Sequence, residues 1–239
     1  MKLDILAISA HPDDVEVAAG GTLLRHVDLG HRIGLLDLTR AELSTRGNPE
    51  WRAKEAARAA ELLGIGTREQ LNLPDGFFDA DKGSLLALVR KIRKFRPEIV
   101  LANALDDRHP DHQRAADLVG RAVFLANLVK IETYDADGRE QAPWRVRAVY
   151  HYQQDRVSKP DLLLDVSPYI DRKFEAIRAY GSQFYQPDCT DPETPISCPS
   201  FFEALRGRNA MWGRQIGVEY AEAFTLARPI GAKNLFDLI

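Results

Sequence analysis

The chain has few cysteines and no apolar run long enough to cross a membrane. Only two of its 239 residues are cysteines, and Cys189 and Cys198 have neither a CxxC spacing nor a nearby histidine. We predict that they are free thiols, with a local disulfide as the less favoured alternative. Residues 1–10 are too few and too charged for a signal peptide, and no stretch approaches the roughly 20 apolar residues of a membrane helix. The expectation is a cytoplasmic protein.

The chain also lacks an excess of charge of either sign. Its formal net charge is −3, and its 32 Lys and Arg residues are not gathered into a basic block, so a nucleic-acid partner is not expected. A dinucleotide site is not expected either, because the turn after the first predicted strand carries HPDD at residues 11–14 instead of GxGxxG. Carboxylates in that turn would repel a phosphate and attract a cation.

Strand-like and helix-like segments alternate along the first 150 residues. The predicted strands are residues 3–9, 32–38, 70–73, 98–102, 146–152 and 162–166. The predicted helices are residues 20–29, 49–63, 84–95, 111–126, 167–180 and 200–217. Between the last two helices, the proline-rich segment 181–199 is expected to be an ordered loop near the functional site or a flexible lid. This order predicts one domain over residues 1–239, with a Rossmann-like three-layer α/β fold and a mostly parallel sheet.

Two polar clusters follow the first and fourth predicted strands, at residues 11–16 (HPDDVE) and 106–112 (DDRHPDH). If the sheet has the order 3-2-1-4, these two strands are neighbours and their following helices leave to opposite faces. A crevice then opens at their carboxyl ends, where ligands bind in open α/β sheets. We therefore expect the two clusters to face each other across the active site.

Histidine and aspartate side chains at this crevice predict a metal site. His11, Asp14 and His112 would supply two imidazoles and one carboxylate, and three protein ligands leave a further position for water. The alternative is that Asp13 or Asp14 only caps the following helix. Capping accounts for one aspartate and for neither histidine, so the metal site is favoured.

The motif AHPDD at residues 10–14, with HPDH at residues 109–112, resembles the LmbE-like (PIG-L) family of zinc-dependent deacetylases of N-acetylated amino sugars. The resemblance covers essentially the whole chain. Residues 180–184 (YGSQF) and 212–222 (WGRQIGVEYAE) are similar to the branch that deacetylates N-acetylglucosaminyl malate in bacillithiol biosynthesis. The resemblance implies one Zn²⁺ per chain, although the same ligands accept iron, cobalt or manganese. It also implies a homo-oligomer, often a hexamer.

The resemblance assigns catalytic roles to three residues. Asp13 is expected to be the general base, which takes a proton from water and passes it to the leaving nitrogen. The alternative for Asp13 is to orient a ligand histidine. His109 is expected to stabilise the oxyanion in its protonated form, with Asp111 as its orienting partner.

Four further residues are candidates for substrate contact. Arg52 resembles a family arginine near the sugar, and a guanidinium suits a malate carboxylate, but a place on the helix surface is the open alternative. Arg108 is expected to reinforce the charge at the oxyanion or to bind a substrate carboxylate, unless it is a solvated loop residue. Glu42 is expected to bond sugar hydroxyls, and Tyr185 is matched to a mobile tyrosine over the site.

The sequence therefore predicts a zinc-dependent N-deacetylase of a small N-acetylglucosaminyl conjugate, with no nucleic-acid or membrane partner. The nearest alternative is a deacetylase or amidase of another amino-sugar conjugate, such as a chitin disaccharide or a thiol conjugate. A rival from another class is a non-catalytic, metal-binding sugar sensor. Asp13 and His109 count against that rival, because neither is needed as a ligand.

Overall fold

A seven-stranded sheet runs through the computed structural model of the chain, which describes residues 1–187, 189–232, 234 and 236. The strands are β1 (Ile5–Ser9), β2 (Ile33–Thr39), β3 (Thr67–Leu73), β4 (Ile99–Ala102), β5 (Ala148–Tyr152), β6 (Leu162–Asp165) and β7 (Ala221–Leu226). Their order is β3-β2-β1-β4-β5-β7-β6. Pairing is parallel from β3 to β5 and antiparallel where β7 lies between β5 and β6. The predicted α/β fold and the order 3-2-1-4 are confirmed.

Helices cover both faces of the sheet. They are α1 (Asp14–Asp28), α2 (Pro49–Leu63), α3 (Lys82–Phe95), α4 (Pro110–Ala126), α5 (Ile170–Arg178) and α6 (Phe201–Gln215). Successive strand residues point to opposite faces, so Leu6 packs with Leu118 of α4 while Ala7 packs with Leu23 of α1. Because α1 follows β1 and α4 follows β4, their departure to opposite faces opens a crevice at the carboxyl ends of these two strands.

The first helix begins earlier than predicted, and two glycines lie inside it. The prediction started it at residue 20, but α1 begins at Asp14, and Gly20 and Gly21 lie inside it. A Cβ on Gly21 would stand 2.7 Å from the Cβ of Val166, and one on Gly20 would stand 3.2 Å from Cγ of Lys173. These glycines therefore allow the segment after β6 to approach α1 closely, and they do not mark a helix start.

Other boundaries differ for local reasons. Helix α3 begins at Lys82 because Asp81, and not Ser84, caps it by accepting hydrogen bonds from the amides of Gly83 and Ser84. The predicted helix 167–180 is a 3-10 turn (Ser167–Tyr169) followed by the shorter α5. Strand β7 was not predicted, because buried Glu222 interrupts its apolar pattern.

The proline-rich segment is packed against the body of the protein. Phe184 is buried and stacks on Phe201 with 5.3 Å between ring centroids, and Gln183 Nε2 donates to the carbonyl of Arg46 at 2.8 Å. These contacts favour the ordered-loop alternative over a loose lid. Cys189 and Cys198 are free thiols, as predicted. None of the helices in the described ranges is long and apolar enough to span a bilayer.

Candidate metal centre

A cavity of about 380 Å³ opens at the crevice between β1 and β4. Both predicted clusters contribute to its lining, together with residues that follow β3 and β5 and with the proline-rich segment and α6. The polar side chains that line it include His11, Asp13, Asp14, Asp75, His109, His112, Gln154 and Arg208. The crevice that the strand order predicted is thus present, and the two clusters face each other across it.

The three predicted metal ligands lie together. Asp14 Oδ1 is 3.1 Å from His112 Nε2, and Asp14 Oδ2 is 3.8 Å from His11 Nδ1. One ring nitrogen of His109 also lies within 4.8 Å of nitrogens of His11 and His112. Two imidazoles and a carboxylate that converge at a cavity wall form a donor set that fits a divalent cation such as Zn²⁺.

The carboxylate of Asp14 is held by amide donors. The backbone amide of His11 donates to Oδ2 at 3.0 Å, and Asn103 Nδ2 donates to the same oxygen at 2.9 Å. Gln154 Nε2 donates to Oδ1 at 3.0 Å. Burial alone would raise the pKa of Asp14, but the imidazoles of His112 and His11 outweigh it and hold that pKa well below its usual range. Asp14 is therefore a fixed, ionised acceptor.

Each of the two predicted ligand histidines has a second carboxylate beside its other ring nitrogen. His11 Nε2 is 2.9 Å from Asp75 Oδ1, and His112 Nδ1 is hydrogen bonded to Asp107. Burial would lower the pKa of each imidazole, but the surrounding carboxylates raise it to about 10 for His11 and about 9 for His112. Such partners commonly orient metal-binding histidines and increase their basicity.

Asp75 and Asp107 were not predicted as site residues. Asp107 lies in the same loop as His112, five residues before it, and a search for a carboxylate partner of each histidine would have found it. Asp75 follows β3, whose carboxyl end lies at the same edge of the sheet. Only the folded chain shows that its side chain reaches His11.

Asp13 occupies an unusual backbone conformation beside the ligands. It precedes α1 with φ of 123°, a region that non-glycine residues adopt at a cost of about 1–3 kcal/mol. Burial raises the pKa of Asp13 to about 7, although the charge of Arg52 opposes the shift. A buried carboxyl group with a pKa near neutrality can both accept and return a proton. This is the property expected of the predicted general base.

The guanidinium of Arg52 is already engaged. Arg52 Nη1 donates to Asp13 Oδ2 at 3.0 Å and to the carbonyl of Pro12 at 2.6 Å, while Nη2 donates to Ser44 Oγ at 3.0 Å. The residue is only 4% exposed. Arg52 therefore supports the turn that carries Asp13 and also lines the cavity. Its expected contact with a substrate carboxylate stays a prediction.

His109 and Asp111 also differ from their predicted arrangement. The carboxylate of Asp111 accepts from the amide of Gly76 and from Arg114 Nη1, both at 2.7 Å, and does not bond His109. Only the backbone amide of Asp111 reaches His109, donating to Nδ1 at 3.2 Å. Burial and the two ligand imidazoles lower the pKa of His109. A neutral ring that accepts at Nδ1 carries its proton on Nε2, so His109 can donate a hydrogen bond without being protonated.

The remaining predicted substrate residues are less well placed. Arg108 lines the cavity, but it is paired with Asp155 and is half exposed. Glu42 accepts a hydrogen bond from the amide of Asp75 at 2.9 Å and does not line the cavity. Tyr185 is 41% exposed and does not line the cavity either, whereas its neighbour Phe184 does. Neither Glu42 nor Tyr185 is part of the cavity wall that the described residues form, and their contacts with the sugar stay predictions.

Fold and site together define a class, namely a Rossmann-like α/β protein with a donor set that fits a divalent cation and a buried acid beside it. Residues 6–123 match the PIG-L family, described as GlcNAc-PI de-N-acetylase. The chain is also 30% identical to the diacetylchitobiose deacetylase of Thermococcus kodakarensis, over 91% of this chain and 80% of that protein. The chain belongs to the PIG-L family.

Two further similarities extend this result. The chain is 28% identical to the 4-oxalmesaconate hydratase of Pseudomonas putida, over 74% of this chain and 73% of that protein. A crystal structure of a conserved protein from Thermus thermophilus superposes with a TM-score of 0.85 and 36% identity, over 98% of each chain. Relatives of this chain are therefore named for different reactions, deacetylation and hydration.

Proposed function

We propose that the protein is a metal-dependent deacetylase of N-acetylated amino sugars, with Zn²⁺ held by His11, Asp14 and His112. The observation that carries this proposal is the convergence of these three ligands at a cavity wall with Asp13 beside them. The family description and the chitobiose-deacetylating relative support the same reaction.

Hydrolysis of an acetamide requires a nucleophile, a place for negative charge on oxygen and a proton for the departing amine. A bound Zn²⁺ would act as a Lewis acid toward the carbonyl and would lower the pKa of a water molecule. Asp13 takes one proton from the attacking water, whose oxygen forms the new bond to the acetyl carbon. The C–N bond then breaks, Asp13 returns the proton to nitrogen, and the products are the amine and acetic acid.

His109 is suited to stabilise the negative charge on the carbonyl oxygen. Its Nδ1 accepts the amide hydrogen of Asp111, so Nε2 is the nitrogen that can donate. A hydrogen bond that is fixed before reaction stabilises charge where it develops, and removal of one such donor commonly lowers kcat by about 10²–10³.

The finer proposal concerns the substrate. The resemblance of residues 180–184 and 212–222 to the malate-specific branch supports N-acetylglucosaminyl malate, and with it a cytoplasmic role in bacillithiol biosynthesis and a homo-oligomeric state. The neutral disaccharide N,N′-diacetylchitobiose is the alternative, supported by the Thermococcus relative.

The decisive measurement is acetate release from N-acetylglucosaminyl malate and from N,N′-diacetylchitobiose, by protein that has been treated with a chelator and then reloaded with Zn²⁺. We expect turnover that disappears on chelation and returns with the metal. Sugar binding without turnover would instead support a sensor. Hydration of 4-oxalmesaconate without acetate release from either sugar would move the chain to the reaction of its Pseudomonas relative.

A further inference from the structure

Three arginines of the described chain line the cavity, and two of them already bind carboxylates. Arg52 Nη1 lies 3.0 Å from Asp13 Oδ2, and Arg108 Nε lies 2.5 Å from Asp155 Oδ2. Arg208, on α6, forms no ion pair with any residue in the ranges 1–187, 189–232, 234 and 236, and its buried Nε has no hydrogen-bond partner there. The cavity thus contains one guanidinium whose charge is not matched by a bonded partner.

The side chain of Arg208 is held in position. Its guanidinium carbon lies 5.1 Å from the ring centroid of Trp212, which follows one helical turn later and is 1% exposed. Helix α6 is fixed to β7, since Asn209 Nδ2 donates to the carbonyl of Ala221 at 2.7 Å. A guanidinium stacked on a buried indole loses little conformational freedom when it binds a ligand.

The surroundings of Arg208 favour the binding of an anion. Phe184, Ile196 and Phe201 line the same cavity. Burial lowers the pKa of Arg208 from its usual value, although the charges of Asp155, Asp107 and Glu222, none of them bonded to it, oppose the shift. Arginine stays charged in proteins. A charged group that is partly removed from water without a partner costs free energy. An anion that supplies the missing hydrogen bonds removes this cost, and its attraction is stronger among apolar side chains than in water.

We infer that Arg208 binds an anionic group, a carboxylate or a phosphate, on the substituent that the N-acetylated sugar carries. Either group can accept two parallel hydrogen bonds from a guanidinium. The inference rests on the proposed deacetylation and gives Arg208 the role that the sequence suggested for Arg52. Arg208 would then determine specificity for an anionic substrate and take no part in the chemical step.

The test compares Arg208→Met with Arg214→Met, an exposed arginine on the same helix. Methionine retains an unbranched aliphatic stem like that of arginine and removes the guanidinium charge. Acetate release is measured on N-acetylglucosaminyl malate, on N-acetylglucosamine 1-phosphate and on neutral N,N′-diacetylchitobiose. We expect Arg208→Met to raise KM for the anionic substrates by about 10- to 100-fold, with kcat nearly unchanged. The neutral disaccharide and the Arg214→Met protein should respond by less than about 2-fold.

The anionic substrate that loses more affinity identifies the group that Arg208 binds. An equal loss on neutral and anionic substrates would overturn the inference, because it would make Arg208 a structural residue. If the Arg208→Met protein does not fold, the same measurements are made on Arg208→Lys, which keeps the charge but not the planar guanidinium. If the wild type releases acetate from none of the three, the deacetylase proposal fails separately. Calorimetric titration of wild type and variant with the malate conjugate still decides the inference, and equal affinities would refute it.

Discussion

Two groups of buried charge differ in their position relative to the cavity. In the Glu222 cluster (Lys173 and Glu222 with the amides of Gly21 and Thr22), Lys173 Nζ and both amides lie within 2.9 Å of the carboxylate. In the metal-site cluster, three of the carboxylates, Asp13, Asp14 and Asp75, line the cavity. Its members are His11, Asp13, Asp14, Asp75, Asp107, Asp111 and His112.

This difference suggests a structural role for the Glu222 cluster and a binding role for the metal-site cluster. The carboxylate of Glu222 is satisfied by the protein itself, so its removal should affect folding. The metal-site cluster contains five carboxylates among its seven members, which favours a divalent cation at the cavity wall. Both clusters are hydrogen bonded within the protein, but only the metal-site cluster has carboxylates at a cavity wall, where a ligand can reach them.

The largest effect is expected when a metal ligand is removed. His112→Ala leaves two of the three proposed ligands, which are too few to hold an open catalytic site tightly. Stoichiometric zinc and acetate release should both be lost, as measured by atomic absorption and by an acetate assay. His31→Ala, a change in an exposed histidine outside the cavity, is the control. Full zinc content in His112→Ala would remove this residue from the ligand set.

Removal of the base should spare the metal and abolish most turnover. Asp13→Asn keeps the shape of the side chain but cannot accept a proton, so kcat should fall by about 10²–10⁴ while zinc remains bound. Because the base must be ionised, the wild-type rate should fall as the pH drops through the pKa of Asp13. That pKa is about 7 without a cation, and a bound cation would lower it.

The exposed Asp117→Asn on α4 is the control for Asp13→Asn. Turnover within a few-fold of wild type, with zinc bound, would exclude Asp13 as the base. Loss of zinc would make it a ligand or a support for one.

The Glu222 cluster should respond in the opposite way. Lys173→Met leaves Glu222 buried without its cation, which costs about 3–5 kcal/mol in the free energy of unfolding, measured by urea denaturation. Zinc content and kcat of the folded protein should stay near wild type. Arg172→Met breaks only an exposed pair with Asp28 and should cost less than about 1 kcal/mol. A kcat loss in folded Lys173→Met would show that the two clusters are coupled.

The smallest effect is expected when the hydrogen-bond partner of a proposed metal ligand is changed. Asp107→Asn weakens the hydrogen bond that orients His112, and such changes reduce metal affinity by about 10- to 100-fold. Competition with a chromogenic chelator measures this affinity. Neighbouring Asp106→Asn, which removes an exposed pair with Arg156, should leave it unchanged. Equal affinities for the two variants would mean that Asp107 only holds its loop.

Most of the site could be predicted because its parts are local in sequence. His11, Asp13 and Asp14 share one turn after an apolar strand, and His109 and His112 share another. The alternation of strands and helices places both turns at one crevice. The glycines of α1 and strand β7 were misread because their contacts are distant in the chain, where periodicity carries no information.

The sequence by itself indicated the order 3-2-1-4 and that His11, Asp13, Asp14, His109 and His112 meet at the crevice, since short-range pattern and right-handed connections leave few topologies. Only the tertiary structure decided what each charged group does. Arg52 is paired with an aspartate 39 residues away, while Arg208 has no bonded carboxylate among the described residues. The physical reason is that electrostatic attraction depends on distance in space and on burial, and neither quantity can be read from separation along the chain.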